Sequence, residues 1–230
     1  MFETMVRFFQ EGGLFMYPIA VVLVLGVAIS LERYIYLSVA KRTNRKAFDQ
    51  LLPLIKRQDY RGALRLTNES GAPISAIIGS GISRLLNKQP RDEIEYAMEE
   101  GLMDVLPRLE KRTQYLATLA NVATLLGLLG TIIGLIDAFS AVANADPSEK
   151  AALLSQSISV AMNTTAFGLI SAIPLLLLHS VLQTKTNEIV DSFEMAGVKL
   201  MNVITERAVT GNVPVGASGA AIPPSAVPAR

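Results

Sequence analysis

Three stretches of this chain contain no Asp, Glu, Lys or Arg. They are the twenty residues between Glu11 and Glu32, the twenty-four between Arg112 and Asp137, and the thirty-four from Ala151 to Thr184. About 20 apolar residues of helix cross the hydrocarbon core of a bilayer, so each run predicts one spanning helix. The first does not read as a cleavable signal peptide, because no basic n-region precedes it and the apolar stretch is too long.

Outside these runs the pattern is helical throughout. Phe2, Met5, Val6 and Phe9 fall on one helical face, which predicts an interfacial amphipathic helix ending at Gly12-Gly13. Ala47, Leu51, Leu54 and Ile55 repeat at helical spacing, as do Ile74, Ile77, Ile78, Ile82, Leu85 and Leu86. Breaks are predicted at Gln58-Asp59, at Ser70-Gly71-Ala72-Pro73 and at Lys88-Gln89-Pro90. From Arg91 the pattern predicts one helix running into the second span as far as Phe139, kinked at Pro107. At 1.5 Å per residue it would be roughly 70 Å long. A similar rod is predicted from Leu153 to Val209.

The predicted fold class is therefore an all-α membrane protein with three transmembrane helices, two of them extended into a cytoplasmic helical bundle. The division is 1–13 interfacial helix, 14–38 first span, 39–112 cytoplasmic helical region and 113–139 second span. A 140–152 loop, a 153–183 third span, a 184–209 C-terminal helix and a 210–230 tail follow. The tail is Gly, Pro, Ala, Ser and Val with one terminal Arg, a composition that forms no core and predicts disorder.

Half of the residues are apolar, an excess that leans the same way, and the formal net charge of +1 gives no reason to expect nucleic acid. Cysteine is absent, which excludes disulfides, thiolate catalysis and thiolate-bound metal. The segment 41–112 carries fourteen Lys and Arg, whereas the 140–152 loop carries only Lys150. Basic residues stay on the cytoplasmic side. The N-terminus and the 140–152 loop are thus predicted outside, and the C-terminus inside. Tyr34 and Tyr36 suit the aromatic belt.

Two spans carry candidate chemistry. Gly130 and Gly134 form a GxxxG pair that allows close backbone approach in lipid, and Asn121, Thr124 and Thr131 share one polar stripe. In the third span Ser157, Ala161, Thr165, Gly168 and Ala172 make one face of small residues, with Asn163 and Thr164 beside it. Polar atoms at this depth turn toward protein or water. Two readings stay open for each residue: ordinary helix packing, with threonine hydroxyls bonded back to a carbonyl one turn away, or a shared polar lining.

Longer motifs carry a resemblance. Leu126-Gly127-Leu128-Leu129-Gly130-Thr131-Ile132-Ile133-Gly134-Leu135-Ile136, then Ala138-Phe139, resembles the second-span signature of the MotA/TolQ/ExbB proton channel family. Ala161-Met162-Asn163-Thr164-Thr165-Ala166-Phe167-Gly168-Leu169, ending in Ala172-Ile173-Pro174, is similar to its third-span signature, and Glu32-Arg33 with Leu37 to the motif closing its first span. The likeness covers roughly residues 14–205 and, with three spans, is to the ExbB/TolQ branch.

The resemblance implies a homo-oligomeric ring, a pentamer, around the single spanning helices of an ExbD/TolR-like partner, present as a dimer. The partner's aspartate takes and releases protons along a path lined by Thr131 and Thr165, with Thr164, Asn163, Asn121 and Thr124 nearby and Gly127, Gly130, Gly134 and Gly168 at close helix contacts. No cofactor is implied, and the transported ion is a proton, with sodium the alternative. One departure stands out. Where ExbB and TolQ have a glutamate five residues before the third-span threonine, this chain has Val160.

The remaining candidates each have two readings. Asp137 is a proton-gathering acid at the mouth or a solvated interfacial one. Glu32 and Arg33 are a coupling pair or an ion pair that fixes the depth of the first span. Pro174 bends the third span with or without a role in the pore. His179 is a relay or, lying near the cytoplasmic end, a bystander, and Asp92, Glu93, Glu95, Glu99, Glu100 and Asp104 form a solvated face or draw cations toward the lower chamber. Gly216-Ala217-Ser218-Gly219 matches a rhomboid-like nucleophile motif but lies in the tail, without oxyanion hole or base. No Walker A loop occurs, and one histidine without cysteine makes a buried metal site a poor reading. The chain is therefore expected not to be an enzyme. The rival to a channel is a non-conducting oligomeric scaffold for a partner helix.

Overall fold

The computed structural model describes residues 12–143 and 145–210, with side chains as far as Glu206. The interfacial stretch before Gly12 and the tail with Ser218 lie outside the described residues. Those residues form α1 (Met16–Arg57), α2 (Tyr60–Glu69), α3 (Pro73–Leu86), α4 (Arg91–Glu110), α5 (Thr113–Ala143) and α6 (Lys150–Thr210). Three helical segments are long and apolar enough to cross a membrane: α1, the α4–α5 segment and α6. The first helix does not end with its apolar run. It continues for 42 residues to Arg57 through Pro53, so three helices rather than two are extended.

Three of the interior breaks are built on a non-glycine residue in the left-handed region: Gln58 (φ 72°), Lys88 (φ 58°) and Arg112 (φ 66°). At the first, Asp59 N donates to Leu54 O at 3.0 Å and Gln58 N to Ile55 O at 3.1 Å, which closes α1 with paired reverse bonds. The Asp59 side chain then caps α2 by accepting from Gly62 N at 2.8 Å. Gln89 N to Arg84 O and Lys88 N to Leu85 O repeat the pattern after α3. The third break overturns the predicted continuous helix. A two-residue turn at Lys111-Arg112, starting four residues beyond Pro107, separates α4 from α5. Left-handed backbone costs a residue with a Cβ about 1–2 kcal/mol, so something must hold Arg112 there.

The described residues divide into two compact units. One comprises 47–100 and the chain from Phe193. Its core is aliphatic, with Leu51, Ile55, Ile74, Ile78, Ile82, Ile94, Phe193 and Leu200 all buried. Ser80 Oγ donates to the carbonyls of Ala97 and Ile77, both at 2.8 Å, and so ties α3 to α4.

The other unit comprises 12–46 and 101–192 and carries the three spans. Its interior inverts the size order of a soluble core. The buried face of α5 is Leu116, Ala120, Ala123, Gly127, Gly130 and Ala138, while Leu125, Ile132, Ile136 and Phe139 point outward. Lipid is as apolar as leucine, so nothing drives large side chains inward, and small ones let backbones touch. Ile19, Ala120, Ala123, Ala172 and Leu175 form the cluster where the helices meet.

Charged residues at one end of this unit tie the helices together. Glu32 pairs with Arg112 at 2.7 Å rather than with Arg33. Neighbours on a helix point about 100° apart and do not face each other, which is the physical reason the predicted Glu32–Arg33 pair does not form. Arg33 is instead 3% exposed and donates to the carbonyl of Leu109, in the last turn of α4. Together the two residues of α1 hold the α4–α5 break. Replacing Arg33 with methionine leaves that carbonyl unsatisfied and should cost about 1–3 kcal/mol. Glu32→Gln, which breaks only a half-exposed pair, should cost about 0–1 kcal/mol. Thermal unfolding in detergent compares the two.

Lys185 Nζ sits 3.7 Å from the centre of the Tyr34 ring and 3.2 Å from Ser38 Oγ. Further along, Lys41 meets Glu188 at 2.6 Å. The hydrogen bond from Lys41, and then its charge, hold the Glu188 carboxyl below its ordinary range. A carboxyl depressed on folding stabilises the fold above its unfolded pKa, and that gain is lost as the pH falls through the folded value. Glu188→Gln should therefore lower the melting temperature slightly at neutral pH. The gap to the parent should close in acid and shrink in high salt, since the pair is exposed.

Candidate ion pathway

The predicted pair comes together. Thr131 Oγ1 of α5 and Thr165 Oγ1 of α6 lie 3.1 Å apart, both half-buried. Two glycines bring the helices close enough. A Cβ built on Gly168 would lie 2.8 Å from Ala123 O and 3.1 Å from Gly127 Cα, and one on Gly127 would lie 3.3 Å from the Cα atoms of both Thr165 and Gly168. The closest backbone approach is thus Gly127 against Gly168, two of the four glycines expected at close helix contacts. The other two accommodate side chains instead: Gly130 receives the Thr164 methyl, and a Cβ on Gly134 would meet Ala161 Cβ at 2.9 Å.

The hydrogen-bond pattern decides what the pair offers. Thr165 donates to Gly127 O at 2.8 Å, across to the neighbouring helix, and Thr131 donates to Leu128 O at 2.7 Å in its own. A hydroxyl has one proton and two lone pairs. With both protons committed to carbonyls, the pair presents acceptor oxygens to anything beside it.

The other predicted lining residues are not gathered there. Thr164 is 2% exposed and donates to Gly12 O at 2.6 Å, so it fastens the turn preceding α1 to α6 instead of facing an open surface. Val160, at the position of the absent glutamate, belongs to the same contact: a Cβ on Gly13 (φ 75°) would lie 3.2 Å from its Cγ1. Thr124 bonds back to Ala120 O at 3.1 Å, which is the packing reading, and Asn121 is exposed. Asn163 and His179 are half-buried and Asp137 is exposed. Pro174 is exposed inside an unbroken α6. Ser171 escaped notice in the sequence. It is fully buried, and its hydroxyl has no partner among the described residues. Only its position one turn beyond Gly168 on the packed face marks it.

Comparison with known proteins decides the lineage. Residues 69–195 match the model of the MotA/TolQ/ExbB proton channel family. A biopolymer transport protein ExbB homolog of Methanothermobacter thermautotrophicus is 31% identical over 199 residues, 84% of this chain and 68% of that protein. The chain belongs to the MotA/TolQ/ExbB proton channel family. Its relatives include biopolymer transport protein exbB1 of Vibrio cholerae, 28% identical over 75% of this chain and 76% of that protein. Another is the Tol-Pal system protein TolQ of Haemophilus influenzae, 33% identical over 40% of each. The fold matches that of C. jejuni MotAB with a TM-score of 0.57 at 18% identity, over 85% of this chain and 79% of that one. This member of the MotA/TolQ/ExbB family is thus a multi-pass membrane protein, all-helical among the described residues.

Proposed function

We propose that the chain is the ring subunit of an inner-membrane motor in which proton flow drives mechanical work through an ExbD/TolR-like partner with a single span. The observation that carries this reading is the Thr131–Thr165 hydroxyl pair, within two otherwise charge-free helical runs. Family membership supports a channel rather than an enzyme. In this reading five copies surround a dimer of the partner, with the 140–152 loop and the N-terminus outside and the helices beyond the spans in the cytoplasm.

The chemistry runs through the partner's carboxyl. An ionised acid in hydrocarbon is costly, and a protonated one needs an acceptor for its O–H. The paired hydroxyl oxygens, their own protons bonded to carbonyls, supply that acceptor. When the acid ionises, the hydroxyls rotate and donate to it. Each proton that crosses releases roughly 2.3 kcal/mol per 100 mV. Val160 leaves the ring without an acid of its own at that position, so the partner carries the proton.

The scaffold reading retains one supporting observation: Thr124, Thr131 and Thr164 each bond back to a carbonyl one turn away in their own helix. Proton uptake into vesicles holding this chain together with its single-span partner separates the two. Uptake that is driven by membrane potential and lost with valine at 131 and 165 supports the channel. Uptake indifferent to those changes leaves the scaffold.

A further inference from the structure

We propose that the cavity at the α4–α5 break is a phospholipid site that takes a zwitterionic phosphoethanolamine headgroup. It has a volume of about 500 Å³ and is lined by Pro107, Glu110, Lys111, Arg112, Gln114 and Tyr115. The site rests on the membrane reading of the chain and not on the ion pathway.

Depth is the first argument. Arg112 is the last charged residue before the charge-free run of α5. Its partner Glu32 and the Lys185–Tyr34 stack mark the same change from apolar to charged on α1 and α6. All three helices therefore leave the hydrocarbon at one level, which is where headgroup phosphates lie. Tyr115 is exposed at that level, as interfacial aromatics are. Beyond it Val122 and Leu125 expose the apolar surface along which acyl chains would run.

Charge is the second. Lys111 and Glu110 make no ion pair or side-chain hydrogen bond with any described residue. Arg112 gives one nitrogen to Glu32 and keeps further N–H groups free. A phosphodiester is thus offered an ammonium, a guanidinium and the polar groups of Gln114 and Tyr115. The Glu110 carboxylate in the same wall repels a bare anion and accepts from an ammonium. A wall with both signs fits a headgroup with both signs better than phosphatidylglycerol or inorganic phosphate.

The test is thermal unfolding of the full chain in detergent, with bound lipid counted by native mass spectrometry. Phosphatidylethanolamine should raise the melting temperature by about 2–4 °C, phosphatidylglycerol of the same chains by less, and inorganic phosphate not at all. Lys111→Gln should abolish the shift and the bound lipid, and Glu110→Gln should reverse the preference toward phosphatidylglycerol. Lys111 is exposed and Glu110 half-buried, and a circular dichroism spectrum like the parent's shows that both variants fold. Equal lipid counts in parent and Lys111→Gln would overturn the site, and so would a parent response to inorganic phosphate as large as to lipid. The Thr131→Val/Thr165→Val variant should keep the lipid response, so failure of the ion pathway is told apart from failure here. Purification without detergent would instead remove the membrane reading beneath both.

Discussion

Cells relying on a Thr131→Val/Thr165→Val copy of this chain should lose proton-driven work while keeping the protein at its normal level in the membrane. Valine keeps the volume and branching of threonine, so the Gly127–Gly168 crossing beneath the pair is undisturbed. Stability should fall by about 1 kcal/mol or less, because the carbonyls of Gly127 and Leu128 lose only a second donor. Function falls much further. A hydrogen bond to a charged group contributes about 1.5–3 kcal/mol, so each missing hydroxyl should slow release and recapture of the proton by about ten- to a hundredfold. Serine at both positions retains the oxygens and should restore most of the flux. The measurement is potential-driven proton uptake beside a melting curve. A double valine variant with normal uptake would refute the pathway, and one that fails to accumulate would show that the pair is structural.

The second large effect lies beneath the first. Gly168→Leu should stop the chain from accumulating. The atoms that a Cβ would meet, Ala123 O and Gly127 Cα, are backbone on the opposing helix and have no rotamer to escape to. Overpacking of a tight core costs about 1–3 kcal/mol and occasionally more, and a full leucine must separate α5 from α6 along their length. Gly168→Ala should melt several degrees lower, whereas Gly71→Ala, with no atom within 4 Å, should be neutral. Membrane levels and melting temperatures in detergent rank the three. A Gly168→Leu protein that melts like the parent would show that the crossing is looser than described.

What could be read directly from the sequence follows from which signals are local. Charge-free runs gave the three spans, and the pairing of Thr131 with Thr165 was legible because each sits within a long motif. The break at Arg112 was not. The usual marks of a helix end are Gly, Asn or a following Pro, and Arg112 has none. Its left-handed backbone is held through α1, by Glu32 on its guanidinium and by Arg33 on Leu109 O, a contact some eighty residues distant in sequence. A still longer separation hid the role of Thr164. Its spacing beside Thr165 suggested a shared lining, but 100° of helical rotation turns it inward to Gly12. The four close-contact glycines were legible from the motifs, but not that Gly127 is the one opposite Gly168, because spacing within one helix says nothing of its neighbour's register.

The inverted ordering of side-chain sizes sets how this lineage can drift. Leucine, isoleucine, valine and phenylalanine on the outer surface of α5 can be exchanged freely, for a fluid solvent refills whatever shape they leave. Gly127 and its counterpart Gly168 on the hidden faces have no such licence, since a single added carbon there meets main chain. Descendants of this chain should therefore differ most at their greasiest positions and least at their smallest, the reverse of what water-soluble proteins teach one to expect.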